Sequence, residues 1–129
     1  MSELRRVVAQ ALHDTRDGGT AVLTDAGGGD GVVQWISFGR DGHVIEVPDP
    51  ARHRPGRMRK LLRRSAPEPA GLGEDRVRAL ERLGFTAGEH GPELSVGPNA
   101  LGHDQLVEVV VEALEVVGID GSRVAVEVF

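Results

Sequence analysis

The chain contains no cysteine among its 129 residues. This absence excludes a disulfide framework, thiolate chemistry and any zinc site built on cysteine ligands. It is compatible with the cytosol, where disulfides are rare, and we expect a cytoplasmic protein. Aromatic residues make up only 3% of the chain, so valine and leucine must fill the core.

The chain also lacks a long hydrophobic run. No apolar stretch approaches the roughly 18 residues that a membrane-spanning helix needs, and we expect no contact with a membrane. Near the N-terminus the apolar residues recur at helical spacing, which predicts an amphipathic helix over residues 3–16 rather than a signal peptide. With 129 residues the chain can bury a core of its own, and we expect one domain spanning residues 1–129.

Apolar, β-branched stretches follow the first helix and are separated by glycine-rich turns. Asp-Gly pairs at 30–31 and 41–42 supply the positive-φ residues that hairpin turns require. The pattern predicts an antiparallel meander of three strands. These strands occupy residues 20–24, 32–38 and 43–47.

The middle strand of this meander carries apolar side chains on both sides. Val33 and Trp35 alternate with Val32, Ile36 and Phe38 along it. A strand that is apolar on both sides is typical of a central position in a sheet. We therefore expect it to lie centrally, with both of its faces at least partly covered.

The second half of the chain continues with helical and strand patterns. The helix over 102–118 has the strongest signal, because Val107 and Val111 widen an already continuous apolar stripe and indicate burial on more than one side. Gly84 fits the left-handed position after a helix, with Phe85 as the apolar contact that often follows. The predicted elements after the meander are a helix at 74–84, a strand at 93–96, the helix at 102–118 and a strand at 123–129.

The order of elements predicts an α+β fold with helices packed on an antiparallel sheet. The full order is α-β-β-β-(short α)-α-β-α-β. A Pro/Gly/Arg-rich connecting segment at 48–73 separates the meander from the second helix. The short helix inside that segment is indicated by Met58, Leu61 and Leu62, which recur at helical spacing.

None of the candidate chemical motifs is complete. The glycine run at 27–31 lacks the Lys-Ser/Thr pair of a phosphate-binding loop, and a strand follows it. No serine lies in the G-x-S-x-G turn that aims a nucleophile. The His-Asp pairs at 13–14 and 103–104 suit the polar faces of helices better than a shared metal site. We therefore expect no catalytic residue, no cofactor and no metal, and a protein that is not an enzyme.

The block RHRPGRMRKLLRR at 52–64 interrupts an acidic chain of net charge −5. It holds seven of the 15 basic residues, which leaves 8 basic against 20 acidic residues elsewhere. It has no stacking aromatic and no groove-reading helix, the usual companions of positive charge in a nucleic-acid site. The alternatives are a solvated or self-paired segment, a contact with an acidic protein, or nucleic-acid binding.

Three phrases of the chain resemble the TY-Chap group of small proteins, which is similar to bacterial type III secretion chaperones and to YbjN-type proteins. The first is VVQWISF followed by a turn and VIEV, the second is LERLGF at 80–85, and the third is LVEVVVEALEVVGI at 106–119. The resemblance implies a chaperone-like α+β fold that is often dimeric and binds protein or peptide segments without chemistry. The C-terminal strand departs from it, because the secretion chaperones typically end in a helix.

Taken together, the residues and the resemblance predict a cytoplasmic, homodimeric, non-catalytic module that binds a protein or peptide client. Capture would use an apolar surface or a sheet edge. The alternative is a nucleic-acid-binding protein that uses the block at 52–64. Trp35 is expected either to pack in the sheet or to anchor an interface. The partner-binding candidates are Trp35, Val33, Arg57, Arg59, Arg63, Val126 and Val128.

Overall fold

The computed structural model describes residues 3–49, 72–98 and 100–129. Within them the chain forms three α-helices and six strands, and it is an α+β protein with its helices packed on an antiparallel sheet. The predicted short helix, the block at 52–64 and most of the connecting segment at 48–73 lie outside the described residues. The helices and strands are α1 (Glu3–Asp14), β1 (Gly19–Asp25), β2 (Val32–Ser37), β3 (His43–Glu46), α2 (Glu74–Arg82), β4 (Thr86–Ala87), β5 (Pro92–Val96), α3 (His103–Val116) and β6 (Val124–Val128).

The sheet has the strand order β4-β5-β3-β2-β1-β6, and every neighbouring pair is antiparallel. The predicted meander is therefore present as β1, β2 and β3, and β2 lies inside the sheet. The strand β4 was not predicted, because two residues are too few to show the alternation of apolar and polar side chains that indicates a strand. After β5 the chain crosses the sheet through α3 and returns as β6 at the opposite edge.

Cross-strand register explains which side chains enter the core. Trp35 on β2 lies opposite Ala21 on β1 and Ile45 on β3, and all three are fully buried. The helices bury their apolar stripes on this same face, where α1 also packs against α3. In α3 both Val107 and Val111 are buried, as their position beside the main stripe predicts. We call this side of the sheet the helix face.

The opposite side, the outer face, differs from the prediction for β2. Ile36 points to this face and is 42% exposed, while its cross-strand neighbour Val44 is half-buried. Among the described residues the helices bury their side chains against the helix face only. The expectation that both faces of β2 are covered is thus met on one face by the described helices, and Ile36 is left open on the other.

Two helices end in the same glycine motif. After α2 the N–H of Phe85 donates to the Leu80 carbonyl at 3.1 Å, and Gly84 has a φ of 104°. After α3 the N–H of Ile119 donates to the Leu114 carbonyl at 2.9 Å, with Gly118 at a φ of 80°. In both motifs the apolar residue after glycine is buried and seals the helix end against the core. The first motif confirms the sequence prediction for Gly84 and Phe85.

Candidate functional site

The strand β6 lies at one edge of the sheet and pairs only with β1 among the described strands. The turn before it is held by Asp120, which accepts hydrogen bonds from the side chain and the backbone N–H of Ser122. These hydrogen bonds lower the pKa of Asp120 below its ordinary value. The carboxylate stays charged beside Arg123, whose guanidinium lies 3.5 Å from it and fixes the start of the strand.

The backbone N–H and carbonyl groups of successive residues in β6 point alternately toward β1 and away from it. The N–H of Phe129 donates to the Thr20 carbonyl at 2.8 Å, and the Phe129 carbonyl accepts from Thr20 at 3.3 Å. In an antiparallel ladder such pairs recur at every second residue. The N–H and carbonyl groups of Ala125 and Glu127 therefore face β1, and those of the alternate residues point to the open edge. Those outward residues are Val124, Val126 and Val128.

The same end of the chain exposes apolar surface. Five large apolar side chains are exposed among the described residues, and three of them lie in or directly after β6. Val126 is 37% exposed, Val128 is 43% exposed and Phe129 is 73% exposed. Exposed apolar side chains beside unpaired backbone groups are the features by which a sheet edge accepts another strand.

An open groove of about 610 Å³ runs between α1 and this edge. Val126 and Val128 form its floor, because they lie opposite the buried Leu23 and Ala21 and so point to the helix face. Val7 and Ala11 of α1 form the apolar part of the groove wall. The polar lining residues are Glu3, Arg6, Gln10 and Asp14, which mix both signs of charge.

The outer surface of β6 has a different character. Glu127 lies opposite Val22 in a cross-strand row that continues through Gln34 and Glu46 to Glu93. This row carries three carboxylates, and Gln34 donates a hydrogen bond to Glu46 at 3.0 Å. A strand added beside β6 would therefore meet the apolar groove on one side, and Ala125, Glu127 and Phe129 on the other, where Glu127 is the nearest carboxylate of the row.

The other edge of the sheet offers less to a partner strand. It is formed by β4, which spans only Thr86 and Ala87. A very short edge strand is one of the ways in which proteins prevent edge pairing. β6 has five residues, with no proline or lysine, and its single charge, Glu127, points away from the groove. Among the strands that the structure describes, the two edges are thus unequal, and β6 is the open one.

The structure separates the predicted partner-binding residues into three groups. Val126 and Val128 are exposed at the β6 edge, as a binding role requires. Val33 and Trp35 are fully buried, so the interface role predicted for them has no exposed surface through which to act. Trp35 instead packs in the sheet, and its indole Nε1–H donates to Thr15 Oγ1 at 3.1 Å. The third group, Arg57, Arg59 and Arg63, lies outside the described residues.

Val7, Gln10 and Phe129 also contribute to this region but were not predicted as partner-binding residues. Val7 belongs to the apolar stripe of α1, and no local pattern indicates that it lies at the margin of that stripe rather than in the core. Predicting these residues requires the position of β6 in the sheet, and the sequence of a strand does not determine which strands or helices lie beside it. Only the strand order brings α1 and β6 together.

Other chemistry is sparse in the part of the chain that the structure describes. It contains no group of three or more His, Asp or Glu side chains that could hold a metal ion. Burial lowers the pKa of His43 below its ordinary value, and this residue lies opposite Ser37 and Val96 on the helix face. None of the helices at residues 3–49, 72–98 and 100–129 combines the length and apolar character needed to cross a bilayer.

Comparisons with models of protein families, with curated proteins and with solved structures found no match to this chain.

Proposed function

We propose that this protein is a non-catalytic module that binds a protein or peptide segment by adding it as a strand to β6. The open edge of β6, with the outward backbone groups of Val124, Val126 and Val128, is the observation that carries the proposal. Backbone hydrogen bonds would supply affinity, and side-chain contacts at alternate positions would supply selectivity.

The two sides of β6 define the segment that fits. Every second side chain of the added strand would enter the groove beside Val126 and Val128, so these positions favour valine, isoleucine or leucine. The intervening side chains would lie beside Glu127 at the end of the acidic row, so basic residues are favoured there. The client is thus an extended segment that alternates apolar residues with basic or uncharged ones.

The resemblance to TY-Chap proteins agrees with this proposal, because it implies binding of protein segments without chemistry. The C-terminal strand, which departs from the secretion chaperones, supplies the proposed binding edge. The proposal therefore uses the part of the chain that is particular to this sequence.

Binding of a labelled peptide of alternating valine and lysine, measured by fluorescence anisotropy, tests this function. We expect Val126→Pro to weaken binding about tenfold or more, because proline removes an outward N–H and its ring obstructs the edge. The ladder to β1 is kept, since the N–H of residue 126 points away from β1. Val126→Lys is a second variant at the same position, and it places a charge in the groove.

The matched control is Ile36→Lys, because Ile36 and Val126 have similar exposure, 42% and 37%, and lie on opposite faces. We expect this control to bind the peptide as the wild type does. A peptide of the same composition with its valines in one block should bind at least tenfold more weakly. Equal binding of both peptides, or unchanged binding by both Val126 variants, would contradict strand addition at β6.

The nucleic-acid alternative makes a separate prediction. Phosphate binding must weaken steeply as salt rises, because it releases counterions. Tight binding of duplex DNA or single-stranded RNA with a steep salt slope, lost in the double variant Arg59→Ala/Arg63→Ala, would support the alternative over strand addition.

A further inference from the structure

We propose that the strand added to β6 is the β6 strand of a second copy of this chain, paired antiparallel about a two-fold axis at Val126. This inference rests on the proposed function and names the partner of the same edge. A two-fold axis makes both copies use the same surface, so the strand must be complementary to itself. The hydrogen-bonding pattern, the charges and the apolar side chains of β6 each meet that condition.

The hydrogen-bonding pattern fits first. The outward groups belong to Val124, Val126 and Val128, and these are symmetric about Val126. An axis there pairs Val126 with its own copy and Val124 with Val128 of the second copy. All three residues become hydrogen-bonded pairs, which gives about six bonds across the junction.

The charges select this register over its neighbours. An axis at Val126 places Glu127 opposite Ala125 of the second copy, so like charges do not meet directly. An axis at Glu127 would set the two Glu127 carboxylates opposite each other, which is destabilising. An axis at Ala125 would need Ser122 as a ladder residue, but its N–H is already donated to Asp120 at 2.9 Å.

The apolar side chains fit next. The axis is perpendicular to the sheet, so the helix faces of both copies lie on the same side. Val124, Val126 and Val128 of one copy would then lie beside those of the other, with the two α1 helices flanking the junction. Val126 and Val128, now 37% and 43% exposed, would be covered by valines and by the Val7 side of α1.

The opposite edge explains why such pairing would stop at two copies. Pairing through β6 leaves β4 as the outer edge of each copy. β4 has only two residues, Thr86 and Ala87, and it cannot support a further ladder. The sheet would therefore close as a dimer of 12 strands among the described residues rather than grow as a filament.

The absence of cysteine makes disulfide crosslinking a clean test, because each single-cysteine variant can link only to its own copy. At the proposed axis the two Cα atoms lie about 5.5 Å apart, within disulfide range. We expect Val126→Cys to crosslink at least tenfold faster than Ala125→Cys or Glu127→Cys, whose copies lie about 7–8 Å apart on a diagonal. Ile36→Cys is the exposure-matched control and should also be slow.

Faster crosslinking of Ala125→Cys than of Val126→Cys would overturn the proposed register. Sedimentation equilibrium of the unmodified protein is the second measurement. We expect a dimer, and we expect the valine–lysine peptide to dissociate it when the peptide is added. A chain that stays monomeric but binds the peptide at β6 would overturn this inference and leave the proposed function standing. A dimer that persists in Val126→Pro and at saturating peptide would overturn the assignment of the dimer to β6.

Discussion

Replacing Trp35 with alanine is expected to lower the free energy of unfolding by about 3–5 kcal/mol. Trp35 is the largest fully buried side chain among the described residues, and none of its surface reaches solvent. It also ties β2 to the end of α1, because Thr15 Oγ1 accepts its N–H and donates in turn to the Ala11 carbonyl at 2.9 Å. Alanine would leave a cavity between the sheet and the helices. Urea unfolding followed by far-UV circular dichroism measures the loss.

Trp35→Phe is the control for this prediction, because it keeps an aromatic ring and removes the indole N–H. We expect a smaller loss, about 1–3 kcal/mol, from the hydrogen bond to Thr15 and the reduced ring area. A loss below about 1 kcal/mol for Trp35→Ala would show that Trp35 is not a core residue. That result would restore the interface role considered from the sequence.

Gly42→Ala is expected to destabilise the protein by about 3 kcal/mol or more. Gly42 lies directly before β3 with a φ of 110°, a conformation that side-chain-bearing residues rarely adopt. A Cβ at this position would also overlap the carbonyl oxygen of Val96 on the neighbouring strand β5. Alanine must therefore both strain the backbone and push β3 and β5 apart. Thermal and urea unfolding measure the combined effect.

Gly28→Ala separates the strain from the overlap. Gly28 has a φ of 92°, but a Cβ there would meet no atom within 4 Å. We expect this control to cost only about 1 kcal/mol, from backbone strain alone. Equal losses in the two variants would mean that the contact with Val96 does not contribute.

Local sequence patterns predicted much of this fold because each rests on neighbouring residues. The apolar stripe of α3 and the Gly84–Phe85 ending of α2 need only a few turns of helix to be recognised. Helix bounds shifted by a few residues, as with α1, which ends at Asp14 rather than at 16. What the sequence did not determine is long-range: which strand lies at an edge, and which face of β2 the helices cover.

In the candidate site, too, the local pattern could be predicted and the long-range placement could not. Alternation along 123–129 predicted that Val124, Val126 and Val128 share one side, and the register with β1 confirms it. Their exposure could not be predicted, because it depends on α3 carrying the chain across the sheet to the free side of β1. Trp35 is the opposite case, a buried residue for which two roles were considered. The sequence pattern of an aromatic strand residue is the same whether the side chain packs in the core or anchors an interface. The complete burial of Trp35 distinguishes the two roles.

Residue-resolved amide hydrogen exchange, measured by nuclear magnetic resonance, tests strand addition at β6 most directly. In dilute protein we expect the N–H of Val126 to exchange at least tenfold faster than that of Glu127, which faces β1. Saturation with the valine–lysine peptide, or a rise in protein concentration, should slow Val126 toward the rate of Glu127. A Val126 amide that exchanges at the same rate with and without peptide, at every protein concentration, would contradict strand addition at β6.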